Sequence, residues 1–526
     1  MKRRAFLQSS ASVGAALLAA PAIAQPSRPT TLRFIPQANL TSLDPIWTTA
    51  TVTNGHAYYV FDTLFSADRK LRAQPQMVES HSVSDDGRAW RFRLRDGLKF
   101  HDGEKVRAAD CVASLQRWAS RDGFGQILAS RIDRWTVLDD LTFEIHLTRP
   151  FPMLLDALAK PDASVPFIMP ERLAKTDPMK QVTEMVGSGP YRFIAAEYNS
   201  GSRMVYEKFD NYVPRAEAPD WASGAKIAHF KRIEWHVIPD AATAAAAMAS
   251  GEMDWWERPH PDLLASLRKN PAIAVQVADP GGRLAIMRMN HLHPPFDDAK
   301  IRRAIRLAVN QDDYMRAARG DDTSLWNFCR SLYAKGTPYY QDHADLMPAS
   351  MDGARAALKE SGYGGQKIVV INPTDFPDIG PLGQVSAEMM KKLGMNVDLQ
   401  EMDWGSVVQR RTKREGVAQG GWSLMHTTSS AASLASPATN SFLRGQGAGG
   451  WFGWYASAEI EDLTQQWLDA PDEAAQTQLG KKIGRLALED TASVTVGQFY
   501  LQTAYRKNIA GVLQGIAPYP WNVRPA

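Results

Sequence analysis

Cysteine is scarce in this sequence. The 526 residues contain only Cys111 and Cys329, more than two hundred positions apart. An oxidising compartment would allow a disulfide between them. Cys111, however, occupies an apolar position of a predicted helix, so we expect two separately buried thiols.

Long apolar runs and an excess of one charge are also missing. After residue 24, no segment reaches the roughly 20 apolar residues that a membrane-spanning helix needs. The formal net charge is +3, but residues 1–24 carry three basic and no acidic side chains, which leaves 57 of each sign in the rest. Because no later basic run occurs, we expect no nucleic-acid partner.

Motifs of catalysis and of metal binding are not found either. The sequence has no His-Glu-x-x-His, no P-loop and no spacing that indicates a Ser–His–Asp triad. The segment Gly187–Tyr191 is rich in glycine but lacks the Lys-Ser/Thr of a phosphate-binding loop. His291 and His293 form the only close pair of histidines, with no Cys or Glu at ligand spacing. We predict no enzyme activity, no cofactor and no metal site.

What is present begins with an export signal. It consists of the basic residues 2–4, a short apolar stretch over 11–20 and an Ala-x-Ala cleavage site that ends at Ala24. Its paired arginines resemble a twin-arginine signal, which implies export of a folded protein. We predict a signal peptide over residues 1–24, cleaved near Ala24, and a periplasmic mature protein.

The most distinctive stretch is Leu94–Ser114. Just upstream, Trp90, Phe92 and Leu94 alternate with arginines, which is typical of a half-buried strand. A two-residue Asp-Gly turn follows, and residues 98–101 predict a returning strand. From Ala108 onward apolar residues recur at helical spacing. The pattern predicts a hairpin followed by an amphipathic helix.

The same stretch resembles a known family. Segments 95–97, 99–103 and 109–110 resemble the motif of the peptide/nickel-type (family 5, dipeptide- and oligopeptide-binding) solute-binding proteins of ABC importers. Segment 187–191 is similar to that family's Gly-Thr-Gly-Pro-Tyr. The resemblance implies an α/β, two-lobed fold of the type II periplasmic binding proteins. It also implies that the motif lies in an additional subdomain inserted in the first lobe, away from the ligand.

The length favours two or three domains. Together with the resemblance, it predicts a first lobe over 25–275 with an inserted subdomain at about 58–185. The second lobe is predicted over 276–489, and residues 490–526 are predicted to return to the first lobe.

The second lobe shows an α/β pattern. Strands predicted at 367–371, 397–399 and 421–425 are separated by single helices, which is typical of parallel βαβ units. In such sheets ligands bind outside the carboxyl ends of the strands. Asp403 and Trp404 follow one of these strands, and residues 426–430 follow the next.

Several residues near these strand ends are candidates for ligand contact. Asp403 either pairs with a ligand amine or caps the next helix. Trp422 either forms an apolar wall of the cleft or lies in the core. Trp47 is added because the family's Leu-Asp-Pro loop faces the cleft. The predicted ligand-binding residues are Trp47, Asp403, Trp404, Trp422, Met425, His426, Thr427 and Thr428.

Position 425 departs from the family pattern. Peptide-binding relatives commonly carry Gly-Trp and, three residues after the Trp, an aspartate that holds the peptide amine. Gly421 and Trp422 match, but Met425 replaces the acid, and residues 426–430 contain none. A buried ammonium without a carboxylate is strongly disfavoured. Either Asp403 substitutes, or the ligand is a modified peptide, a sugar-like or aromatic solute, or another neutral compound.

The sequence therefore predicts the periplasmic substrate-binding component of an ABC importer. It would capture a small solute, peptide-like or not, between hinged lobes and deliver it to a permease and ATPase complex in the inner membrane. We expect a monomer. The alternatives are a periplasmic hydrolase, or a receptor or chaperone that uses the same lobes without transport.

Overall fold

Two large β-sheets organise the chain in the computed structural model, which describes residues 30–162, 164–470 and 472–526. The signal peptide predicted at 1–24 lies outside the described residues. The first sheet has seven strands and the second has six. We call each sheet, with the helices packed on it, the first lobe and the second lobe.

The first sheet combines strands from both ends of the chain. Strand Thr31–Ile35 pairs in parallel with Arg232–His236 and with Trp255–Trp256, and the remaining pairs are antiparallel. In spatial order its strands are Tyr191–Phe193, Arg203–Lys208, Arg232–His236, Thr31–Ile35, Trp255–Trp256, Gln502–Arg506 and Ile273–Val277.

The second sheet contains the predicted βαβ unit. Strand Ile368–Pro373 pairs in parallel with Val397–Met402 and with Leu424–Ser430, and helix Gly380–Lys392 connects the first two. The α/β prediction for this lobe is confirmed, although the third strand begins and ends later than the predicted 421–425. In spatial order its strands are Trp326–Asn327, Val494–Phe499, Arg283–Met289, Leu424–Ser430, Ile368–Pro373 and Val397–Met402.

The helices and short strands fill the space around these sheets. The helices are Thr51–Val60, Ala108–Ala119, Gly123–Ala129, Leu154–Leu158, Glu171–Ala174, Ala241–Ser250, Leu264–Lys269, Ala299–Ala308, Gln311–Arg319, Met351–Ser361, Gly380–Lys392, Trp404–Arg410, Ala458–Leu468 and Glu473–Glu489. The two-stranded pairs are Asp62–Thr63 with Phe167–Ile168, Phe65–Ala67 with Ala73–Pro75, and Ile509–Ala510 with Arg524–Pro525. In the described part of the chain, no helix is long and apolar enough to cross a membrane.

The chain passes between the two sheets at two adjacent crossings. Residues 278–282 lead from Ile273–Val277 to Arg283–Met289, and residues 500–501 lead from the second sheet back to the first. The amide of Ala278 donates a hydrogen bond to the carbonyl of Leu501 at 2.8 Å, so the crossings lie side by side. The return to the first lobe was predicted to begin at residue 490. In the structure the chain first forms Val494–Phe499, the last strand of the second sheet, and crosses back at residues 500–501.

A smaller sheet carries the distinctive stretch. Its strands, in spatial order, are Val78–Val83, Ala89–Leu94, Thr142–Leu147 and Ile132–Val137. Helix Ala108–Ala119 packs on it, and Leu115 and Trp118 of the helix belong to the same buried cluster as Phe92 and Phe143 of the sheet. All four strands precede Tyr191–Phe193 in the chain, so this sheet interrupts the sequence of the first lobe. The same buried cluster includes Trp467 from the second lobe.

Two local predictions in this region have different outcomes. The returning strand predicted at 98–101 is wrong, because only an isolated bridge between Lys99 and Lys105 forms there. The two separately buried thiols are confirmed, since Cys111 and Cys329 are both free and buried. Burial raises the pKa of both thiols, which keeps them protonated and unreactive at neutral pH.

His101 ties this stretch to the segment Gly187–Tyr191. Its backbone amide donates to the carbonyl of Gly187 at 2.9 Å, and its ring Nε2 donates to the carbonyl of Gly189 at 3.0 Å. The amide of Gly187 donates in turn to ring Nδ1 at 3.4 Å. Because one ring nitrogen accepts and the other donates, the imidazole is held in its neutral form. Burial lowers the pKa of His101 to about 4.

This contact predicts acid sensitivity that a variant can reveal. Between about pH 6.5 and pH 4, the unfolded chain binds a proton at His101 that the folded chain does not, so stability falls as the pH falls. The advantage of the wild type over His101→Gln should therefore shrink by up to about 3 kcal/mol between pH 7 and pH 4. Urea unfolding at several pH values measures this difference, and a difference that does not change with pH would contradict it.

Candidate ligand-binding cleft

The carboxyl ends of parallel strands from both lobes meet beside the two crossings. In the first lobe these strand ends lead to Gln37 and Arg258, and in the second lobe to Asp378 and Ser430. A cavity of about 80 Å³, large enough for several water molecules, is lined by Gln37, Arg258 and Asp378 but not by Ser430. It is lined by side chains of both lobes, by the crossing residues Tyr500 and Leu501, and by Gln502 at the start of the next strand. This is the place where the carboxyl-end rule expects a ligand.

Glycine is required where the chain enters the second lobe. Gly282 has φ +71°, and a Cβ there would lie 2.8 Å from the carbonyl oxygen of Phe499 in the neighbouring strand. Its own carbonyl accepts from the amide of Ala431 at 2.9 Å. The crossing is therefore packed tightly against the second sheet.

Arg258 and Arg319 line the cavity, and Arg283 lies close enough to interact electrostatically with Arg258. Arg319 is buried, donates to Asp378 at 2.5 Å and lies 4.0 Å over the ring of Phe499. Arg283 is buried and donates to the side chain and the carbonyl of Thr428, both at 3.3 Å. Burial lowers the pKa of Arg283 to about 10, with a smaller contribution from Arg258.

Two buried carboxylates, those of Asp162 and Asp279, also lie near the crossings. Asp162 accepts from the hydroxyls of Ser430 and Ser433, both at 2.7 Å, and from Asn54 at 3.3 Å. Asn54 belongs to a first-lobe helix, whereas Ser430 ends a second-lobe strand and Ser433 follows it, so Asp162 bridges the lobes. Asp279 accepts from the amide of Gly281 at 2.9 Å, and burial raises its pKa to about 6.

The predicted residues of strand Leu424–Ser430 are only partly brought to this region. Thr428 contacts Arg283, as described. Met425 is buried near the start of the strand, in a cluster that also holds Ile371, Trp422 and Trp454. His426 is buried on the opposite face, bonded to the Ser386 hydroxyl at 2.9 Å, and burial lowers its pKa to about 3.

The other predicted residues lie further away. Trp422 precedes the strand, at the end opposite to Ser430, and donates to the carbonyl of Arg411 at 3.1 Å. Asp403 is exposed and caps helix Trp404–Arg410 through the amide of Ser406 at 3.0 Å. The helix-cap alternative for this carboxylate therefore has direct structural support.

The remaining candidates are packed on neighbouring side chains. The amide of Trp404 donates to Asp375 at 2.7 Å, and its ring lies 5.1 Å from that of Phe376, which lines the cavity. Trp47 lies under the guanidinium of Arg121 at 5.1 Å, and Thr427 is buried. No described residues form a group of three or more metal ligands.

The sequence interpretation missed Arg258, Arg283 and Asp162. Arg283 directly follows the Asp279–Gly282 turn, and a charged residue beside a predicted crossing was a usable signal. Asp162 lies 268 positions from Ser430 along the chain, and no local pattern indicates that contact.

Two lobes, two short crossings and a polar cavity between the strand ends define a two-lobed ligand-binding protein. The family model for bacterial extracellular solute-binding proteins, family 5, matches residues 72–446. The chain belongs to this family. The predicted family and fold class are thereby confirmed, as is the general function of a solute-binding protein.

Relatives and solved structures agree with this assignment. The chain is 36% identical over 497 residues, 93% of its length, to a probable peptide ABC transporter periplasmic-binding protein, y4tO, of Sinorhizobium fredii, of which it covers 92%. It is 26% identical over 489 residues to the glutathione-binding protein GsiB of Escherichia coli K12, covering 90% of each chain.

Among solved structures, DppA of Helicobacter pylori in complex with the peptide STSA has a TM-score of 0.79 at 20% identity, covering 94% of this chain and 98% of that one. AgaA of A. tumefaciens R10 in complex with agropinic acid has a TM-score of 0.78 at 20% identity, covering 94% and 99%. At this identity both structures show the shared fold.

Proposed function

We propose that the protein is the periplasmic binding component of an ABC importer for a peptide or a related small solute. The observation that carries the proposal is the polar cavity beside two short crossings, because closure about such crossings encloses a solute without covalent chemistry. The relatives named for peptide and glutathione binding support the same solute class.

The proposal includes export, partners and domain organisation. We propose a signal peptide cleaved near Ala24, a monomeric mature protein and delivery of the solute to a permease and ATPase in the inner membrane. The binding-protein names of the relatives favour a protein without catalytic activity. We also propose the predicted lobes and inserted subdomain, and the order of the sheets along the chain supports this organisation.

We place the solute at the cavity, with Thr428 as the member of the predicted set that contacts a cleft arginine. The predicted roles of Trp47, Asp403, Trp404, Trp422, Met425, His426 and Thr427 stay predictions. Asp162 would stabilise the closed form, because its hydrogen bonds to Ser430 and Ser433 join the lobes.

The first experiment identifies the solute and then tests closure. Native mass spectrometry of the purified protein, followed by thermal-shift screening of di- to tetrapeptides, glutathione, opines and sugars, should find a compound that raises the melting temperature. Absence of any stabilising compound would contradict the proposal. Small-angle scattering should show a smaller radius of gyration once the compound is added.

The serine bridge provides a matched pair of variants. Combined Ser430→Ala and Ser433→Ala removes hydrogen bonds to a carboxylate that join the lobes, so the affinity for the identified compound should fall about tenfold. Ser436→Ala, in the same loop but bonded to Thr439, should leave the affinity unchanged. Calorimetry measures both, and equal affinities in the two variants would mean that closure does not use this bridge.

A further inference from the structure

The cavity between the lobes is lined in part by side chains whose hydrogen-bond donors have no partner. Three of its lining side chains have a donor without an acceptor among the described residues. They are the guanidinium of Arg258, the Nε of Arg319 and the Nε2 of Gln502. Arg319 and Gln502 are each only 6% exposed, so water satisfies these donors poorly.

The carboxylates near the cavity do not accept hydrogen bonds from these unpaired donors. Asp378 is engaged by Arg319 at 2.5 Å, and Asp375 is exposed and accepts from the amide of Trp404. The nearest carboxylate to Arg258 is that of Glu257, at 3.7 Å, and Glu257 accepts from the amide of Gln37 at 2.8 Å. The N–H groups of the Arg258 guanidinium therefore have no hydrogen-bond acceptor among the described residues.

A buried arginine elsewhere in the second lobe shows the contrast. Arg288 also lacks a carboxylate, but its guanidinium donates to the carbonyls of Phe442, Phe452 and Ala492 and to the hydroxyl of Ser493, at 2.8 to 3.2 Å. Three backbone carbonyls and a hydroxyl accept from it, which is the arrangement of a structural arginine. The cavity donors have no comparable set of acceptors.

The positions of these donors connect them to closure. Arg258 follows a first-lobe strand, Arg319 ends a second-lobe helix, and Gln502 begins the strand after the second crossing. Arg258 and Arg319 carry like charges that repel each other as the lobes approach. Asp378 offsets part of this repulsion, since both arginines lower the pKa of its carboxyl. A second anion between the two arginines would offset the rest and accept hydrogen bonds from both lobes.

We propose that the cavity binds an acidic group of the solute, a carboxylate or another oxyanion, through Arg258, Arg319 and Gln502. This inference rests on the proposed function, since it names the chemistry of the solute at the same cleft. The acid group joins the lobes by accepting hydrogen bonds from residues of both, and neutral analogues have no such group. Arg258 is the residue that sets this preference, because Arg319 is already paired.

The test compares acids with matched neutral compounds. The probes are alanyl-alanine and its C-terminal amide, glutathione and its diethyl ester, and inorganic phosphate, measured by calorimetry at constant ionic strength. In the wild type, at least one carboxylate should bind ten times or more tightly than its neutral partner. Binding of phosphate with no binding of the carboxylates would assign the site to a free oxyanion, within the same chemistry.

Variants locate the preference at the cavity. Arg258→Gln should reduce the preference for the acid tenfold or more, and Gln502→Leu should weaken binding of the acid. Arg355→Gln, whose exposed side chain pairs only with Asp352 of its own second-lobe helix, is the matched control and should bind like the wild type. Circular dichroism and melting temperature verify that each variant is folded.

The failures are distinguishable. Equal binding of acids and neutral partners, or an acid preference that survives Arg258→Gln, overturns the acidic subsite and leaves solute binding intact. Binding of neutral peptides or sugars, with no binding of any acid, would also overturn the acidic subsite and leave solute binding intact. Failure of every probe, together with failure of the wider screen described above, overturns the proposed function and the subsite with it.

Discussion

Replacement of Asp44 by alanine is expected to destabilise the protein by about 3–5 kcal/mol. Asp44 accepts two hydrogen bonds from the guanidinium of Arg117, at 2.7 and 3.1 Å, and both side chains are almost completely buried. It also accepts from the amides of Val182 at 2.8 Å and Ile46 at 3.2 Å. Its removal leaves the Arg117 charge buried without a carboxylate.

The control for this prediction is an exposed pair on the small sheet. Glu79 and Arg93 lie 2.9 Å apart, with 52% and 46% of their side chains exposed. Glu79→Ala should cost no more than about 1 kcal/mol, because water screens this pair. Chemical denaturation measures both variants. Similar losses in Asp44→Ala and Glu79→Ala would show that burial does not determine the effect.

A double-mutant cycle separates the pair from its other contacts. Arg117→Met alone leaves Asp44 with two amide donors, whereas the combination with Asp44→Leu removes both charges from the interior. Since replacing a whole buried pair by apolar groups is often close to neutral, the double variant should be more stable than Asp44→Ala. A double variant as unstable as the sum of the single variants would contradict this explanation.

The contact between Asp44 and Arg117 illustrates what the sequence alone could not predict. Residues 43–45 resemble a family loop that faces the ligand, but the carboxylate of Asp44 is turned to a helix 73 positions along the chain. Similarity to a motif indicates the path of the backbone. It does not indicate which buried charges meet, because that depends on packing between distant segments.

Strand Leu424–Ser430 shows both the strength and the weakness of local patterns. The alternation of strands and helices was sufficient to predict a parallel arrangement, which the pairing with Ile368–Pro373 confirms. The end of the strand was predicted five residues early, because His426–Ser430 are polar and resemble a loop. Since strand Arg283–Met289 supplies their ladder partners, these polar residues continue the strand instead of forming a loop.

Gly187→Ala is expected to cost roughly 3 kcal/mol or more. A Cβ at this position would lie 2.1 Å from the carbonyl oxygen of Val60 and 2.7 Å from the ring of Phe61. Val60 ends helix Thr51–Val60, and its carbonyl accepts from the amide of Gly189 at 2.9 Å, so the helix end has little freedom to move. The glycine permits close approach of two backbones, which explains this glycine-rich segment without a bound phosphate.

A second glycine supplies the control for this substitution. Gly123 begins helix Gly123–Ala129, and no atom lies within 4 Å of the position of its Cβ. Gly123→Ala should therefore change the stability by less than about 1 kcal/mol. Gly187→Ala could prevent folding altogether. In that case we expect no soluble Gly187→Ala protein and a normal yield of Gly123→Ala. Equal melting temperatures in the two variants would mean that the helix end moves to accommodate a methyl group, and that the contact through His101 does not hold it in place.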